Sequence, residues 1–365
     1  MNTKNLHELI NRYEERLEYF YVENDELFKW RAVKRFQQVW NSDEYKNVSF
    51  AEKFNSAKSE FLILTDNKMV SPSNGVVKIA ENKEDEVRHL FEDVLFADDG
   101  GDLDIRQNHM EEFMDGMEKL RQDVFPNSWK FKQDDRHAAS CYLSALRPDE
   151  NYIYKYEPTE KFAQYVEFGF DIGSGSNFKL KYYYDLCDTL VDALREHLSL
   201  LEKNAKFLEA NGLKDDSLHL LAFDIIYCCN SYGLYSGLEH EKKSETIKAF
   251  KIAEAQKKLE LERQAKIAEI DEQISALQLQ AEPYNSISLV NVKVYSDDYG
   301  EGTIAEQKGS QISVQFEDCA KSFIIDRKYI KRPTFENNDE VVEAFTEYNR
   351  LVDEIQKLER QKANI

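Results

Sequence analysis

The chain has 365 residues, of which 42% are hydrophobic and 12% aromatic, enough for two or three domains with a substantial core. Its formal net charge of −21 argues against a broad nucleic-acid-binding surface, because phosphate contact requires clustered lysine and arginine. No apolar run approaches the ~20 residues that a bilayer span requires, and the polar N-terminal stretch lacks the pattern of a signal peptide. We therefore expect a cytoplasmic protein without membrane contact.

The first part of the chain has the apolar spacing of amphipathic helices. Apolar residues recur every three or four positions in two successive stretches, which predicts two helices that each bury one face. The first set is Leu6, Leu9, Tyr13, Leu17 and Phe20, and the second is Phe28, Ala32, Val33, Phe36 and Trp40.

Four basic residues are interleaved with the second apolar set. They are Lys29, Arg31, Lys34 and Arg35. We expect them on the outer face of that helix, either as solvated charges or as a patch that contacts phosphate groups.

The remainder of this region also reads as helical, with one exception. A helix is predicted to end near Pro148, and the aromatic stretch NYIYKYEP that follows it predicts a β-strand. Further helices are predicted up to Asn211 and Gly212, and again from Ser217 onward. Residues 1–238 are therefore expected to form one mainly helical body.

The composition changes after Gly237. Residues 239–283 are rich in Lys, Glu, Gln and Ala and contain no glycine and, before Pro283, no proline, which predicts one long exposed helix. A second helix is predicted at 336–365. Both carry apolar residues at coiled-coil spacing: Ile267, Ile270, Ile274 and Leu277 in the first, and Val341, Phe345, Tyr348, Val352 and Ile355 in the second. The two helices are expected to pair as an antiparallel hairpin within one chain, with a homo-oligomer through the coiled coil as the alternative.

A β pattern separates the two long helices. Residues 288–334 alternate in strand fashion, with turns expected at Gly300, Gly302 and Gly309. The pattern around the sequence YGEGTI resembles the small Tudor-like barrels that are appended to some DNA helicases and transcription-coupling factors. The predicted fold class is therefore mainly α: a helical N-terminal body, and a long antiparallel coiled-coil hairpin that carries a small β-barrel at its tip.

The β segment offers two candidate binding features. Its aromatic residues Tyr295, Tyr299 and Phe316 either form a binding surface or fill a small core. The basic run that follows is the strongest local candidate for DNA phosphate contact, and it comprises Arg327, Lys328, Lys331 and Arg332.

Searches for catalytic and ligand-binding motifs find little. The stretch DIGSGSNFK lacks the lysine spacing of a P-loop, so we expect no nucleotide hydrolysis. The acidic stretch FADDGGDLD lacks the ligand pattern of an EF-hand and is predicted to be a solvated turn. The five cysteines have no metal-binding spacing and are expected to be buried thiols. No cofactor, metal site or catalytic residue is predicted.

An enzymatic alternative has to rely on scattered carboxylates. Asp134, Asp135 and Asp224 would be the candidates for a cryptic metal-dependent nuclease. Asp135 with His137, or His219 with Asp224, would be the candidate acid–base pairs. Nothing in the sequence places a nucleophile beside either pair.

A family resemblance adds to this interpretation. The order and spacing of segments between residues 25 and 230 resemble the N-terminal region of bacterial McrB-type AAA+ proteins of restriction and anti-phage systems. The segments are FKWRAVKRFQQVW (28–40), FAEKFNSAKSEFLILTDNKMVSPSNGVVKIAE (50–81), EVRHLFEDVLFADDGGDLDIR (86–106), SCYLSALRPDENYIYKY (140–156) and DDSLHLLAFDIIYC (215–228). In that family this region precedes a GTP- or ATP-hydrolysing motor that drives a partner nuclease.

This chain departs from the family pattern because it contains no Walker motif. The resemblance therefore implies a non-enzymatic recognition or scaffold module of a bacterial defence system. Such a module would contact DNA locally, or a partner motor or nuclease subunit. The alternatives are the cryptic nuclease and a structural adaptor that is unrelated to defence.

Overall fold

The structure, a computed structural model, describes residues 1–284, 286–309, 311–324, 334–335 and 339–365. It is mainly helical, with a small antiparallel sheet near the C-terminus, as the sequence predicts. The chain divides into two compact units, residues 1–252 and 253–365. Among the residues described, none of the helices combines the length and the apolar character that a bilayer span requires.

The first unit is built from short and medium-length helices. They are α1 Thr3–Glu15, α2 Phe28–Trp40, α3 Phe50–Ala57, α4 Leu62–Thr65, α5 Pro72–Ala80, α6 Glu84–His89, α7 Leu103–Val124, α8 Arg136–Leu146, α9 Tyr156–Tyr165, α10 Leu180–Glu196, α11 Leu198–Ala210 and α12 His219–Ser231. π-Helical turns follow α1 at Tyr19–Glu23 and α6 at Leu90–Leu95. The bounds of α2 coincide with the predicted apolar stretch.

Aromatic side chains fill the centre of this unit. Phe54, Phe91 and Tyr142 are fully buried, and the Phe91 ring centroid lies 5.2 Å from that of Phe54 and 4.8 Å from that of Phe113. Edge-to-face and tilted contacts of this kind add packing energy to the burial of apolar area. Four of the five cysteines are buried in the same core, as expected, and Cys319 is half-buried.

The predicted β-strand in NYIYKYEP is wrong. Residues 151–155 belong to no helix or strand, and Tyr156 already begins α9. Side chains satisfy the backbone of this buried segment instead: Ser140 Oγ accepts from the Tyr154 amide at 2.9 Å, and the Tyr183 hydroxyl donates to the Ile153 carbonyl. A buried chain segment needs such partners when no neighbouring strand supplies them.

The second unit contains the C-terminal part of α13, Lys243–Ala281, followed by the sheet and α14, Asp339–Ala363. The strands are β1 Lys293–Ser296, β2 Gly300–Lys308, β3 Gln311–Phe316, β4 Ala320–Ile324 and the two-residue β5 Thr334–Phe335. They pair antiparallel in the order β4-β3-β2-β1-β5. Closure of this sheet into a barrel stays a prediction.

The sheet has a small core of its own. Val294, Ile304 and Val314 are fully buried on one face, where Phe345 of α14 packs against them. Gly302 lies within β2 rather than in a turn, which differs from the prediction. Glycine is required there because an added Cβ would come within 2.7 Å of Phe316 and Val314. Gly300 and Gly309 are at the strand ends with φ of +78° and +59°, as turns require.

Candidate functional site

Lys29 does not lie on the outer face of α2, and that prediction is wrong. Its side chain has no exposed surface. The ammonium group is bound by Glu26 at 2.6 Å and by Asp224 of α12. The same group lies 4.2 Å from the centroid of the Tyr227 ring, also on α12. Lys29 is therefore part of the core and cannot contact a phosphate group.

A hydrogen-bond network surrounds this buried lysine. The Tyr13 hydroxyl of α1 donates to Asp224, and the Tyr232 hydroxyl donates to Glu26. Burial lowers the pKa of Lys29, but attraction to Asp224 outweighs this effect and leaves the pKa above its ordinary value. The network joins α1, α2 and α12 at their most buried point.

Glu26, Asp224 and the neighbouring Cys228 have the spacing of a metal site, but the Lys29 ammonium group already supplies the positive charge. One ligand atom each from Glu26, Asp224 and Cys228 lies within 4.8 Å of the other two. The Lys29 ammonium group sits between the two carboxylates, so a bound cation would be repelled by it. Burial also raises the pKa of the Cys228 thiol, which disfavours the thiolate that a metal requires. The arrangement is a buried salt-bridge network.

An open cleft lies beside α2. It encloses about 310 Å³ and is bordered by α2, the loop after α8, the loop before α12 and the start of α12. Its lining residues are Trp30, Val33, Lys34, Gln37, Pro148, Asp149, Gly212, Leu213, Lys214, Asp215, Asp216 and Leu220. The lining combines buried apolar side chains with charged groups of both signs, which suits a polar or charged ligand group.

Asp215 is the chemically distinctive residue of this cleft. Its carboxylate accepts hydrogen bonds from the Trp30 indole at 3.2 Å and from the Leu221 backbone amide in the first turn of α12 at 2.8 Å. Burial raises the pKa of this carboxyl to about 6. Leu218, in the same loop, has a φ of +66°, a backbone conformation that is costly for a branched side chain. Carboxyl groups with shifted pKa values and loops with strained backbone are frequent at binding sites.

The sequence search did not single out Asp215. The available signal was the pattern Asp215, Ser217 and then an apolar run, which is typical of a helix N-terminus. That pattern predicts a capping carboxylate but gives no sign that the residue lines a cleft. Only the packing of α2 against the loop places Trp30 beside it.

The other predicted basic residues of α2 are separated by their contacts. Arg31 forms two hydrogen bonds with the Asp25 carboxylate, at 2.9 and 2.7 Å. Lys34 is exposed at the cleft rim and donates to the Gly212 carbonyl at 2.7 Å, and Arg35 is half-buried. The patch of four cations is thus reduced to three, one of them neutralised by a carboxylate.

The predicted basic run in the β segment, Arg327, Lys328, Lys331 and Arg332, lies outside the described residues. The aromatic residues of the segment divide between core and surface. Phe316 is buried, whereas Tyr295 and Tyr299 are 40% and 42% exposed. Lys321 Nζ lies 5.2 Å from the Tyr299 ring centroid, so this surface combines an aromatic ring with a cation.

The carboxylates of the enzymatic alternative have local structural partners. Asp134 pairs with Lys132 at 2.8 Å, and Asp135 caps α8 by accepting from the His137 amide at 3.0 Å. Asp224 belongs to the Lys29 network. Each of the two ring nitrogens of His137 faces a backbone carbonyl, at 2.7 and 2.8 Å. Structural contacts therefore hold each of these groups.

The acidic turn is less solvated than predicted. Asp99 is buried, and its carboxylate forms a bidentate pair with Arg106 at 2.6 and 2.9 Å. Asp102 caps α7 by accepting from the Asp104 amide at 2.8 Å. These contacts fix the start of α7, and they account for the Asp99 and Asp102 carboxylates without a bound ion.

Comparison with known proteins gives no assignment: no protein-family model matches this sequence, and no curated protein or solved structure is significantly similar to it.

Proposed function

We propose that this chain is a non-enzymatic recognition and assembly module of a bacterial restriction or anti-phage system. The observation that supports it is the exposed middle of α13. Every residue from Lys251 to Lys266 is exposed, which at 1.5 Å per residue is a stretch of about 24 Å. A helical stretch that is exposed all round is open to a partner protein on every side. The defence context rests on the McrB-like pattern of residues 25–230.

The proposed partners follow from the same resemblance. A motor or nuclease subunit supplies the chemistry, and this chain supplies recognition. The engagement of Asp134, Asp135 and Asp224 in structural contacts supports this division of labour over a cryptic nuclease. DNA contact is local, since a charge of −21 repels duplex DNA elsewhere.

The second unit is proposed to be an antiparallel helical hairpin with a small closed barrel at its tip. Lys362 near the end of α14 pairs with Asp271 of α13 at 2.5 Å, whereas Phe345 near its start packs into the sheet. Cysteines at Asp271 and Lys362 should therefore crosslink within one chain under mild oxidation. Cysteines at Leu279 and Lys362 are the control and should not. Crosslinks found only between chains would replace the hairpin with a dimer.

The recognition proposal is tested by charge reversal and DNA binding. One variant changes Arg327, Lys328, Lys331 and Arg332 to Glu, and the comparison variant changes Arg31, Lys34 and Arg35. We expect weak binding by the unmodified chain, with a slope of log affinity against log salt of roughly −3 to −4 for four phosphate contacts. The tip variant should abolish it.

Binding that survives the tip variant and is lost in the α2 variant would move recognition to the helical body. Binding that survives both would contradict local phosphate contact at either place. Lys29 is left unchanged in the α2 variant because it is buried, and its reversal would unfold the core rather than test an interface.

A further inference from the structure

The face of α13 that packs on α14 continues along the helix beyond the end of α14. Ile270, Ile274 and Ala281 of α13 are buried, and Leu277 borders the groove between the two helices. Positions eleven residues earlier lie within about 20° of the same side, because eleven residues make slightly more than three whole turns. Leu259 precedes Ile270 by eleven, Arg263 precedes Ile274 and Lys266 precedes Leu277 by the same step, and Ala255 precedes Leu277 by two such steps. We call these four residues the proximal seam.

The proximal seam has no cover in the described structure. Its residues are all exposed, and the side chain of Leu259 is 68% exposed. The ion pair of Lys362 with Asp271 places the end of α14 beside the start of the buried seam. A large apolar residue that repeats the register of a packed face is the usual mark of a helix-binding surface.

The charge of α13 changes sign between its two halves. Residues 267–281 contain three acidic residues and no basic ones, and Lys362 at the end of α14 pairs with one of them, Asp271. Residues 255–266 instead contain four basic residues and two acidic ones, in a chain whose overall charge is −21. Arg263 and Lys266 stand in the seam itself, where a second helix would face them.

From this continuity and this charge, we propose that the proximal seam binds an acidic amphipathic helix of a partner protein. That helix would place apolar residues over Ala255 and Leu259, and Asp or Glu opposite Arg263 and Lys266. The pair of Lys362 with Asp271 supplies the pattern, because there a basic residue of α14 meets the acidic stretch of α13. The basic stretch 255–266 therefore requires acidic residues on the helix that it binds. The inference rests on the proposed assembly function and specifies its partner.

A second copy of this chain is the less favoured occupant. Two antiparallel copies centred on Leu259 would bring together two stretches that each carry a surplus of positive charge. Like charges across a helix pair are unfavourable.

The test uses the full chain and a fluorescein-labelled helical peptide of about three turns. The peptide has Leu at spacings of four, three and four and Glu at the flanking positions. Binding is followed by anisotropy at low salt. A second peptide, with Lys in place of each Glu, is the matched control. We expect the acidic peptide to bind at least about tenfold more tightly than the basic one.

Two variants on the same turn of α13 locate the site. Leu259→Gln should weaken binding of the acidic peptide about tenfold, because one buried leucine is lost from the interface. Leu261→Gln should change it less than about twofold, since Leu261 is 57% exposed and faces the opposite side of the helix. The double variant Arg263→Glu/Lys266→Glu should reverse the preference toward the basic peptide. All four positions are exposed, so the fold should be unaffected.

Equal binding of both peptides, or equal effects of the two leucine variants, would overturn the proposal. So would a dimer of the unmodified chain that dissociates on Leu259→Gln, because the seam would then join two copies. The DNA test is independent: the tip and α2 variants should bind the acidic peptide normally. A failure of the seam and a failure of the recognition proposal can therefore be told apart.

Discussion

At the scale of single residues, burial decides what the charged groups of α2 do. Lys29 and Lys34 are five positions apart on one helix, yet the first is enclosed by two carboxylates and the second lies at the rim of a cleft. Lys29 stands between Phe28 and Trp30, and Lys34 stands between Val33 and Arg35. The difference in burial arises because Asp224 and Tyr227 of α12 lie against Lys29, whereas Lys34 is exposed.

Replacement of Lys29 by Ala should destabilise the protein by about 3–5 kcal/mol, because it leaves Asp224 and Glu26 buried without a counter-ion. Urea unfolding at neutral pH measures the effect. Lys34→Ala on the same helix is the control and should cost less than about 1 kcal/mol. Similar costs for the two variants would mean that the buried network does not form.

The Asp215 carboxyl should titrate near pH 6 with a signal from Trp30, since its indole donates to that carboxylate. The pKa is raised in the folded state, so folding favours the protonated form. The contribution of Asp215 to stability should therefore fall as pH rises from about 4 to about 6. Tryptophan emission should change between pH 5 and 7 in the unmodified chain and not in Asp215→Asn. A change that persists in the variant would assign it to another group.

At the scale of elements, local spacing predicts helices well but cannot tell an irregular core segment from a strand. Residues 151–154 have strand-like composition and are buried. Their backbone is nonetheless bound by side chains of α8 and α10, which sequence spacing does not indicate. A strand requires a neighbouring strand, and that neighbour is a property of the tertiary fold.

Gly302→Ala should destabilise the sheet of the second unit by about 1–3 kcal/mol, because the added Cβ would overlap Phe316 and Val314. Hydrogen exchange should increase in β2 and β3 and stay unchanged in α2 and α8. Thr303→Ala, one residue along the same strand, provides the comparison and should have a smaller effect. Unchanged exchange in the Gly302 variant would show that the strands can separate to admit a methyl group.

At the scale of the whole molecule, the chain divides into two compact units, residues 1–252 and 253–365. The first is stabilised by a continuous aromatic core, and the second by a small core of its own under the sheet. Among the predicted acid–base residues, Asp135 caps α8, Asp224 binds Lys29, and the ring nitrogens of His137 face two backbone carbonyls.

The isolated chain should neither bind nor hydrolyse GTP or ATP measurably, since the sequence lacks the glycine-rich loop and lysine that hold the β- and γ-phosphates. Phosphate release after repurification measures turnover. Activity that survives repurification and is removed by a point change in this chain would refute the prediction.

The sequence by itself determined the helical character of the body, the bounds of α2, the two long helices and the β segment between them. These follow from periodicity and glycine placement, which are local properties of the chain. Only the tertiary structure decided that Lys29 is buried, that Asp215 meets Trp30 in a cleft, and that the seam of α13 is covered at Ile270 and exposed at Leu259. Periodicity shows that a helix has an apolar face, but which faces are covered depends on elements far away in the chain.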